Sequence, residues 1–437
     1  MFRTLLFLYN LIFIPLSMFA LVVVSCFNQK IRRGLAGRIH LFCRIKAGFP
    51  KNNSHTKILF HVSSYGEFLQ AFPVMERLKQ QHPQTIIIVT VFSPSGYENI
   101  QLKPPVDYLY YLPIDSYWGM KKFVRMISPR VAIIVRHDIW PNFVWRLKLE
   151  KIPLLLIDAS FANKTAELGG MLKLLNRNLL SQFSAIYPIS DRDAKQFAKF
   201  VDKSVNIQIM GDTKYDQVYI RSQFSERYHQ LRQHSVFKKR KIIVAGSTWL
   251  ADEAQILPAF REVAVEEKSA LLIIAPHEPT QKRVAEIESR CEKLKLTTLR
   301  LTRLNKHNIR PDCIIVDQIG LLANLYALGM AAFVGGSFYD KVHNVLEPAV
   351  YGIPVFFGPR ISNSVEAATL LENDAAEIVR SSDDIKKLLQ KVFRGEQSTK
   401  QLGENARRVV KENVGSSEKI AAKILDHIKS LHPRLNG

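Results

Sequence analysis

From residue 57 onward the chain alternates short apolar runs, rich in Val, Ile and Leu, with segments of helical periodicity. A strand followed by a helix and then another strand closes most readily as a parallel sheet covered by helices. Two such series are present. The first has runs at 57–62, 85–92, 131–135, 153–157, 185–189 and 205–210, and the second at 241–246, 270–275, 313–317, 331–335 and 354–357. Between them, 212–240 is polar, carries no strand pattern and reads as a connection. At 437 residues the chain exceeds what one core serves, at about 100–200 residues per domain. The expectation is α/β: two doubly wound, Rossmann-like domains facing a cleft, with ligands at the carboxyl ends of the strands. The boundaries read as domains at 57–215 and 241–415, a linker at 216–240 and an amphipathic helix at 416–437. In that last segment Ile420, Ile424, Ile428 and Leu431 recur at helical spacing behind Ser416, Ser417 and Glu418, so this helix has to pack on something.

The first 56 residues follow different rules. From Thr4 to Gln29 no residue is charged, and 26 residues of helix at about 1.5 Å each can cross a hydrocarbon layer about 30 Å thick. Residues 1–30 therefore read as a membrane anchor helix, and 31–56 as a basic juxtamembrane segment. Arg3 alone precedes the apolar run; Lys30, Arg32, Arg33, Arg38, Arg44, Lys46, Lys51 and Lys57 come after it, and no acidic residue occurs before Glu67. That asymmetry places the chain beyond residue 30 on the cytoplasmic side of a membrane, beside anionic lipid. A cleaved signal peptide is the competing reading, against which stand the length of the run and the basic flank on its carboxyl side. Pro15 in mid-segment leaves open a shallow or re-entrant insertion instead of a straight span. The net charge of +22 suits anionic partners in general. Cys26, Cys43, Cys291 and Cys313 are too far apart for a Cys-x-x-Cys site and read as reduced and structural.

The segments just beyond strand ends carry the candidate chemistry. After the first strand comes His61-Val62-Ser63-Ser64-Tyr65-Gly66-Glu67. Ser64-x-x-Glu67 fits a capping box, and a carboxylate at a strand's carboxyl end equally fits a general base. Spacing alone does not choose between them. In the second series Gly246-Ser247-Thr248, Ala275-Pro276-His277-Glu278-Pro279 and Gly335-Gly336-Ser337 all follow strands, and His343-Asn344-Val345-Leu346-Glu347-Pro348 leads toward a helix. Small residues there let a backbone approach a phosphate, helix amino termini favour anions, and Glu347 could hold ribose hydroxyls. Tight turns with packed or capping histidines are the alternative. Gly211-Asp212-Thr213-Lys214 offers Lys214 to a departing phosphate or else a solvated hinge; Arg136-His137-Asp138-Ile139-Trp140-Pro141-Asn142 offers Asp138 or a packed Trp140 with a capping Asn142. Neither the G-x-x-x-x-G-K-[ST] loop nor G-x-G-x-x-G occurs, which disfavours ATP hydrolysis and NAD chemistry. The histidines show no metal-binding spacing, so neither a metal nor a cofactor is expected.

Taken in order, Ser64-x-Gly66-Glu67, Trp140-Pro141-Asn142, Gly211-Asp212-Thr213-Lys214-Tyr215-Asp216, Gly246-Ser247-Thr248 and His343-Asn344-x-Leu346-Glu347-Pro348-Ala349 resemble the 3-deoxy-D-manno-octulosonic acid (Kdo) transferases. These are membrane-anchored glycosyltransferases of lipopolysaccharide inner-core assembly, and the likeness runs from the amino terminus to about residue 360. It implies a GT-B fold and inverting transfer of Kdo from CMP-Kdo to an anionic lipid A precursor, with 57–215 binding the acceptor and 241–415 the nucleotide sugar. Glu67 falls on the family's catalytic base. The stretches around Pro276 and His277, Ile319, Gly320 and Leu321, and Asn344, Val345, Leu346 and Glu347 fall on its CMP-binding positions; Ser247, Thr248 and Gly336 are expected beside them, with Asp138, Lys214 and His343 in support. The chain departs from the family at three places: Arg136-His137-Asp138 replaces a common Glu-Thr-Glu, Pro276-His277 lacks the usual intervening arginine, and Ile319-Gly320-Leu321 replaces Met-Gly-Glu. Two alternatives remain: another GT-B nucleotide-sugar enzyme, or a catalytically inactive membrane-tethered binding protein. Nucleic acid is not an expected partner, since no interleaved basic and aromatic patch occurs.

Overall fold

A computed structural model describes residues 2–49, 55–161, 169–223, 231–306 and 309–430. Lys51 and Leu431, and residues 224–230 of the expected linker, lie outside them. The chain divides into an amino-terminal unit, Met1–Gln217 with Gly415–Gly437, and a second unit, Val218–Val414.

The amino-terminal unit is built on a seven-stranded sheet in the order β3-β2-β1-β4-β5-β6-β7. Its strands are β1 (Lys57–Val62), β2 (Ile86–Val91), β3 (Tyr108–Tyr111), β4 (Val131–Val135), β5 (Leu154–Ala159), β6 (Ala185–Pro188) and β7 (Asn206–Ile207). Every pairing is parallel. Helices cover both faces, so β2, β4 and β5 are buried along their whole length, which is why they read as unbroken apolar runs rather than alternating ones. Ile58, Phe60 and Val62 pack on one side of the sheet, Leu59 on the other. Serines set where the covering helices begin: the Ser116 hydroxyl accepts the Gly119 N–H and the Ser190 hydroxyl accepts the Asp193 N–H.

The second unit holds another all-parallel seven-stranded sheet, in the order β10-β11-β9-β8-β12-β13-β14. Its strands are β8 (Lys241–Thr248), β9 (Ala270–Pro276), β10 (Thr298–Arg300), β11 (Cys313–Ile315), β12 (Ala331–Val334), β13 (Val355–Phe357) and β14 (Ala376–Ile378). In each sheet the order reverses beside the first strand, between β1 and β4 and between β8 and β12. Such a reversal opens a crevice at the strands' carboxyl ends.

Several expectations need correction. Strands β3, β10 and β14 have no counterpart among the expected runs; they are four, three and three residues long and stand at or near sheet edges, too short for an apolar run to register. The run at 313–317 stops at Ile315, and beyond it the Asp317 carboxylate accepts the Thr302 N–H. Residues 216–240 are not a bare linker: Thr213–Gln223 is a helix and Ser235–Phe237 a 3-10 turn. The helix Ser416–Ser430 does find a partner, with Ile420, Ala421, Ile424, Leu425 and Ile428 buried in the amino-terminal unit's core beside Phe68, Val74 and Leu78.

The helix Thr4–Phe27, 24 residues with a mean hydropathy of 2.3, is long and apolar enough to cross a membrane. It ends earlier than the expected anchor: Asn28 is extended, and its carboxamide caps a new helix, Gln29–Ala36.

Candidate active site

In the amino-terminal unit the reversal brings the ends of β1 and β4 together. His61, fully buried on β1, places Nε2 3.0 Å from Asp138 Oδ2 and Nδ1 3.1 Å from Thr90 Oγ1. A carboxylate only accepts, so Nε2 carries the proton. Burial alone would raise the Asp138 carboxyl, but the His61 hydrogen bond and charge outweigh it and hold it below its usual value.

Just past β1, the helix Tyr65–Gln81 begins. The Ser64 hydroxyl accepts the Glu67 N–H at 3.4 Å, and Glu67 Oε2 accepts the N–H of Ser63. The capping geometry is therefore present, although the carboxylate reaches one residue beyond the N-cap. Glu67 is 7% exposed and lies near His137, whose imidazole burial pushes down while the Glu67 charge pulls it up. The capping and base readings are not exclusive, because the cap contact occupies Oε2 and no bond to Oε1 is found among the described residues.

Arg136, where the family often has a carboxylate, adopts φ +65° and points its guanidinium inward, Nε to Gln70 Oε1 at 2.8 Å and Nη2 to Asp212 Oδ2 at 3.4 Å. Asp158, fully buried at the end of β5, accepts the N–H of Thr213 at 3.0 Å and the Thr213 hydroxyl. Burial and the neighbouring Asp212 push the Asp158 carboxyl up to about 7, against the Thr213 hydrogen bonds and Arg136. Lys214 is half-buried in the first turn of Thr213–Gln223, its N–H donated to Asp212 Oδ1 at 2.8 Å. Glu67, Gln70, Arg136, His137, Asp138, Asp158 and Asp212 thus share one end of one sheet. Asp158 and Gln70 carried no sequence signal.

In the second unit the reversal lies between β8 and β12. Ser247 adopts φ +54°, and Thr248 is buried with its hydroxyl on Glu253 Oε1 at 3.0 Å. Trp249, next in the chain, stacks on His277 at 5.0 Å between centroids, and its Nε1–H donates to His343 Nε2 at 3.0 Å; His277 and His343 stack at 4.3 Å. Burial takes His343 down to about 4, so it is neutral and able to accept that proton. His277 is exposed above this floor, while Pro276 is buried.

The Gly336 N–H does not stand open as an anion donor, because it is given to Asp252 Oδ2 at 2.8 Å. Asp252 also receives the N–H groups of Trp249 and Phe338, so it ties the ends of β8 and β12 together. The helix after Asn344 is only Leu346–Ala349, and the Leu346 N–H is taken by the Asn344 side chain at 3.1 Å. Val345 and Leu346 are buried; Ile319 is 87% exposed; Leu321 is buried beside Gly320, which has φ +88°.

Arg221 joins two of these stretches. Its guanidinium donates to the Gly320 carbonyl at 3.2 Å and lies 3.8 Å from Glu347 Oε1. Burial raises the Glu347 carboxyl, with Arg221 and Asn344 opposing. No sequence pattern marked Arg221, which falls in the stretch read as linker. Among the described residues no group of three or more His, Cys, Asp or Glu side chains could hold a metal ion.

Residues 40–217 match the family described as 3-deoxy-D-manno-octulosonic-acid transferase (kdotransferase). A 3-deoxy-D-manno-octulosonic acid transferase of Haemophilus influenzae is 26% identical over 411 residues, 93% of this chain and 94% of that one. Its counterpart in Aquifex aeolicus is 28% identical over 79% of this chain and 89% of its own. Among solved structures, the UDP-GlcNAc 2-epimerase of Neisseria meningitidis bound to UDP-GlcNAc shares the fold with a TM-score of 0.60 at 13% identity, covering 85% of this chain and 99% of that one. Two Rossmann-like parallel units, each with loops gathered at its strand reversal, make up the GT-B fold, which the chain shares with that epimerase. Within that fold the chain is similar to the Kdo transferases, through the family match over 40–217 and through relatives that run along most of its length.

Proposed function

We propose that the chain transfers Kdo from CMP-Kdo to a lipid A precursor, lipid IVA, in lipopolysaccharide core synthesis, at the cytoplasmic face of the inner membrane. Support comes from the family match over 40–217, from relatives along 93% of the chain, and above all from the setting of Glu67. That carboxylate stands at the carboxyl end of β1, at the strand reversal, held through Oε2 by the Ser63 N–H. A base fixed in this way needs no reorganisation before it accepts a proton from an acceptor hydroxyl. The hydroxyl oxygen then attacks the anomeric carbon of Kdo, and the bond to the CMP phosphate breaks with inversion.

CMP leaves with its charge already on phosphate, so no acid is required at the leaving group. Stabilising the departing phosphate falls to backbone N–H groups around Ser247, Thr248 and Ser337, Gly336 itself being bonded to Asp252, with Lys214 as the candidate cation of the amino-terminal unit and no metal called for. On this reading Pro276, His277, Ile319, Gly320, Leu321 and Asn344 through Glu347 surround the nucleotide, and the Arg221 guanidinium supplies polarity beside Leu321, whose own side chain offers none. The partners are CMP-Kdo, the anionic acceptor lipid and the surrounding membrane lipids.

The test is direct. The full chain in mixed micelles, given CMP-Kdo and a tetraacylated lipid A precursor, should add the mass of one or more Kdo units, and Glu67→Gln should cut kcat by at least about 100-fold, the low end for general-base catalysis. Folding should survive, since Gln keeps an acceptor for the Ser63 N–H. Near-normal turnover in Glu67→Gln would sink the base assignment; binding of UDP in preference to CMP would favour a different nucleotide-sugar enzyme.

A further inference from the structure

The first turns of the long apolar helix and the residues after it are both fastened to the same body. In its first turns Leu5, Tyr9 and Ile14 are buried in the amino-terminal unit's core with Phe143, Trp145 and Phe123. The Tyr9 hydroxyl donates to Asp115 Oδ2 at 3.0 Å, and its ring meets Trp145 edge-on at 5.8 Å. Asn10 and Asn142 exchange side-chain hydrogen bonds at 2.8 and 2.9 Å, and Asn10 also accepts the Tyr117 N–H at 3.1 Å.

After it, Asn28 breaks the helix with φ −118° and ψ 107°, and the chain comes back. Arg38 donates to the carbonyls of Leu112 at 2.8 Å and Phe92 at 2.9 Å, Gly34 lies against Pro94, and Leu41 and Ile45 enter the same core as Tyr9. Between these two fastenings Leu16, Phe19 and Phe27 are 66%, 70% and 88% exposed.

The lengths then decide the topology. Ile14–Phe27 is 14 residues, and helix at about 1.5 Å per residue gives it about 21 Å, short of the roughly 30 Å of hydrocarbon. The ten preceding residues leave Phe7, Leu11, Ile12 and Phe13 exposed on one face, but their other face is fixed to the folded unit, with Leu5 and Tyr9 buried and Tyr9 and Asn10 bonded to Asp115 and Asn142, groups expensive to place in lipid, so this stretch does not add its length to a span. An apolar cavity of about 490 Å³ lies where the hairpin meets the unit, walled by Phe13, Leu21, Ile31, Leu35, Phe92 and Trp140. Lys30, Arg32 and Arg33 stand at the start of the returning helix.

We propose that residues 14–35 form a re-entrant hairpin that enters one leaflet and turns back, leaving residues 4–13 on the same face of the membrane as the rest of the amino-terminal unit. Its partner is the lipid surface: acyl chains meet the exposed apolar side chains and fill the cavity, and anionic headgroups meet the cations. Which sugar is transferred has no bearing on this hairpin.

Cysteine accessibility on the full chain tests it. In a Cys26→Ser, Cys43→Ser background, which keeps the two buried cysteines, Thr4→Cys reports the amino-terminal side and exposed Ser398→Cys is the reference. A membrane-impermeant maleimide should label both positions in inverted inner-membrane vesicles and neither in intact spheroplasts. Labelling of Thr4→Cys from outside spheroplasts would establish a single span and overturn the proposal. Protection of that position from both sides, or recovery of the chain in the soluble fraction, would overturn it as well. An amino-terminal epitope tag on the otherwise unchanged chain gives a second measurement: protease should remove it in inverted vesicles and spare it in spheroplasts.

Discussion

Asp158 holds its place through Thr213, which donates both its N–H and its hydroxyl to the carboxylate, with Asp212 adding negative charge close by and Arg136 opposing it. A carboxyl near pKa 7 in the folded protein and near 3.8 unfolded binds more protons folded than unfolded between those values. Folding is thus favoured by this group at acid pH, and the contribution is lost as pH rises from about 4 to about 7. Asp158→Asn should remove that dependence: urea midpoints of wild type and variant, compared at pH 5 and pH 7.5, should move toward the variant's advantage at the higher pH. A constant difference would mean that the carboxyl is ionised throughout. Arg136→Ala takes away the opposing cation from a buried pair with Asp212 and should lower stability by about 3 kcal/mol, as removal of one partner of a buried ion pair does, read as a shift in urea midpoint. At this scale the sequence is legible where function follows from local position. Glu67 could be singled out because Ser64-x-x-Glu67 follows a strand directly, whereas Asp158 and Arg221 could not, since their partners Thr213 and Gly320 lie 55 and 99 residues away.

Where β8 and β12 part, Gly335 lets the backbones close in. A Cβ on Gly335 would stand 2.5 Å from the Ser247 carbonyl oxygen and 2.7 Å from Thr248 Cα, and backbone on both strands cannot step aside. Gly169 has nothing within 4 Å. Gly335→Ala should therefore destabilise the second unit by about 2 kcal/mol or more, while Gly169→Ala stays within about 0.5 kcal/mol, both measured by chemical denaturation. Equal effects would mean that the strand ends are looser than their spacing indicates. The long parallel strands announced themselves as apolar runs because both faces are covered, and the helices between them by periodicity and serine caps. Strands β3, β10 and β14 did not, because a pairing of three or four residues draws its identity from the neighbour it extends. At the amino terminus Pro15 left a re-entrant insertion open beside a straight span and could not choose between them: composition records that 4–29 is apolar, but only the contacts of Tyr9 and Arg38 reveal that both sides of the exposed stretch are tied to one surface.

The chain leaves the amino-terminal unit after Gln217 and returns to it at Gly415, so that unit is completed by a segment that follows the whole second unit. The point of return is closely fitted. Gly211 has φ +90° and leaves no room for a Cβ against the Ser416 hydroxyl, and Asp216 accepts the Gly415 N–H at 3.0 Å. Beyond it Ile420, Ile424, Leu425 and Ile428 are buried against the helix Tyr65–Gln81, the helix that carries Glu67. At about 1.5–3 kcal/mol for each large apolar side chain, these four contribute about 6–12 kcal/mol, comparable to the whole net stability of a typical domain, about 5–15 kcal/mol. The amphipathic spacing of 416–437 announced that the helix must pack on something, yet nothing in the sequence said it would pair with a segment more than 300 residues upstream. Deleting residues 415–437 should therefore unfold the amino-terminal unit and leave the second one standing. Three of the four tryptophans, Trp118, Trp140 and Trp145, report on the first, and Trp249 on the second. The truncated chain should show the fluorescence of exposed indole with protease cleavage confined to residues before 217, while CMP binding persists. An unchanged thermal midpoint in that fluorescence would show that the sheet and its remaining helices suffice without their carboxyl-terminal cover.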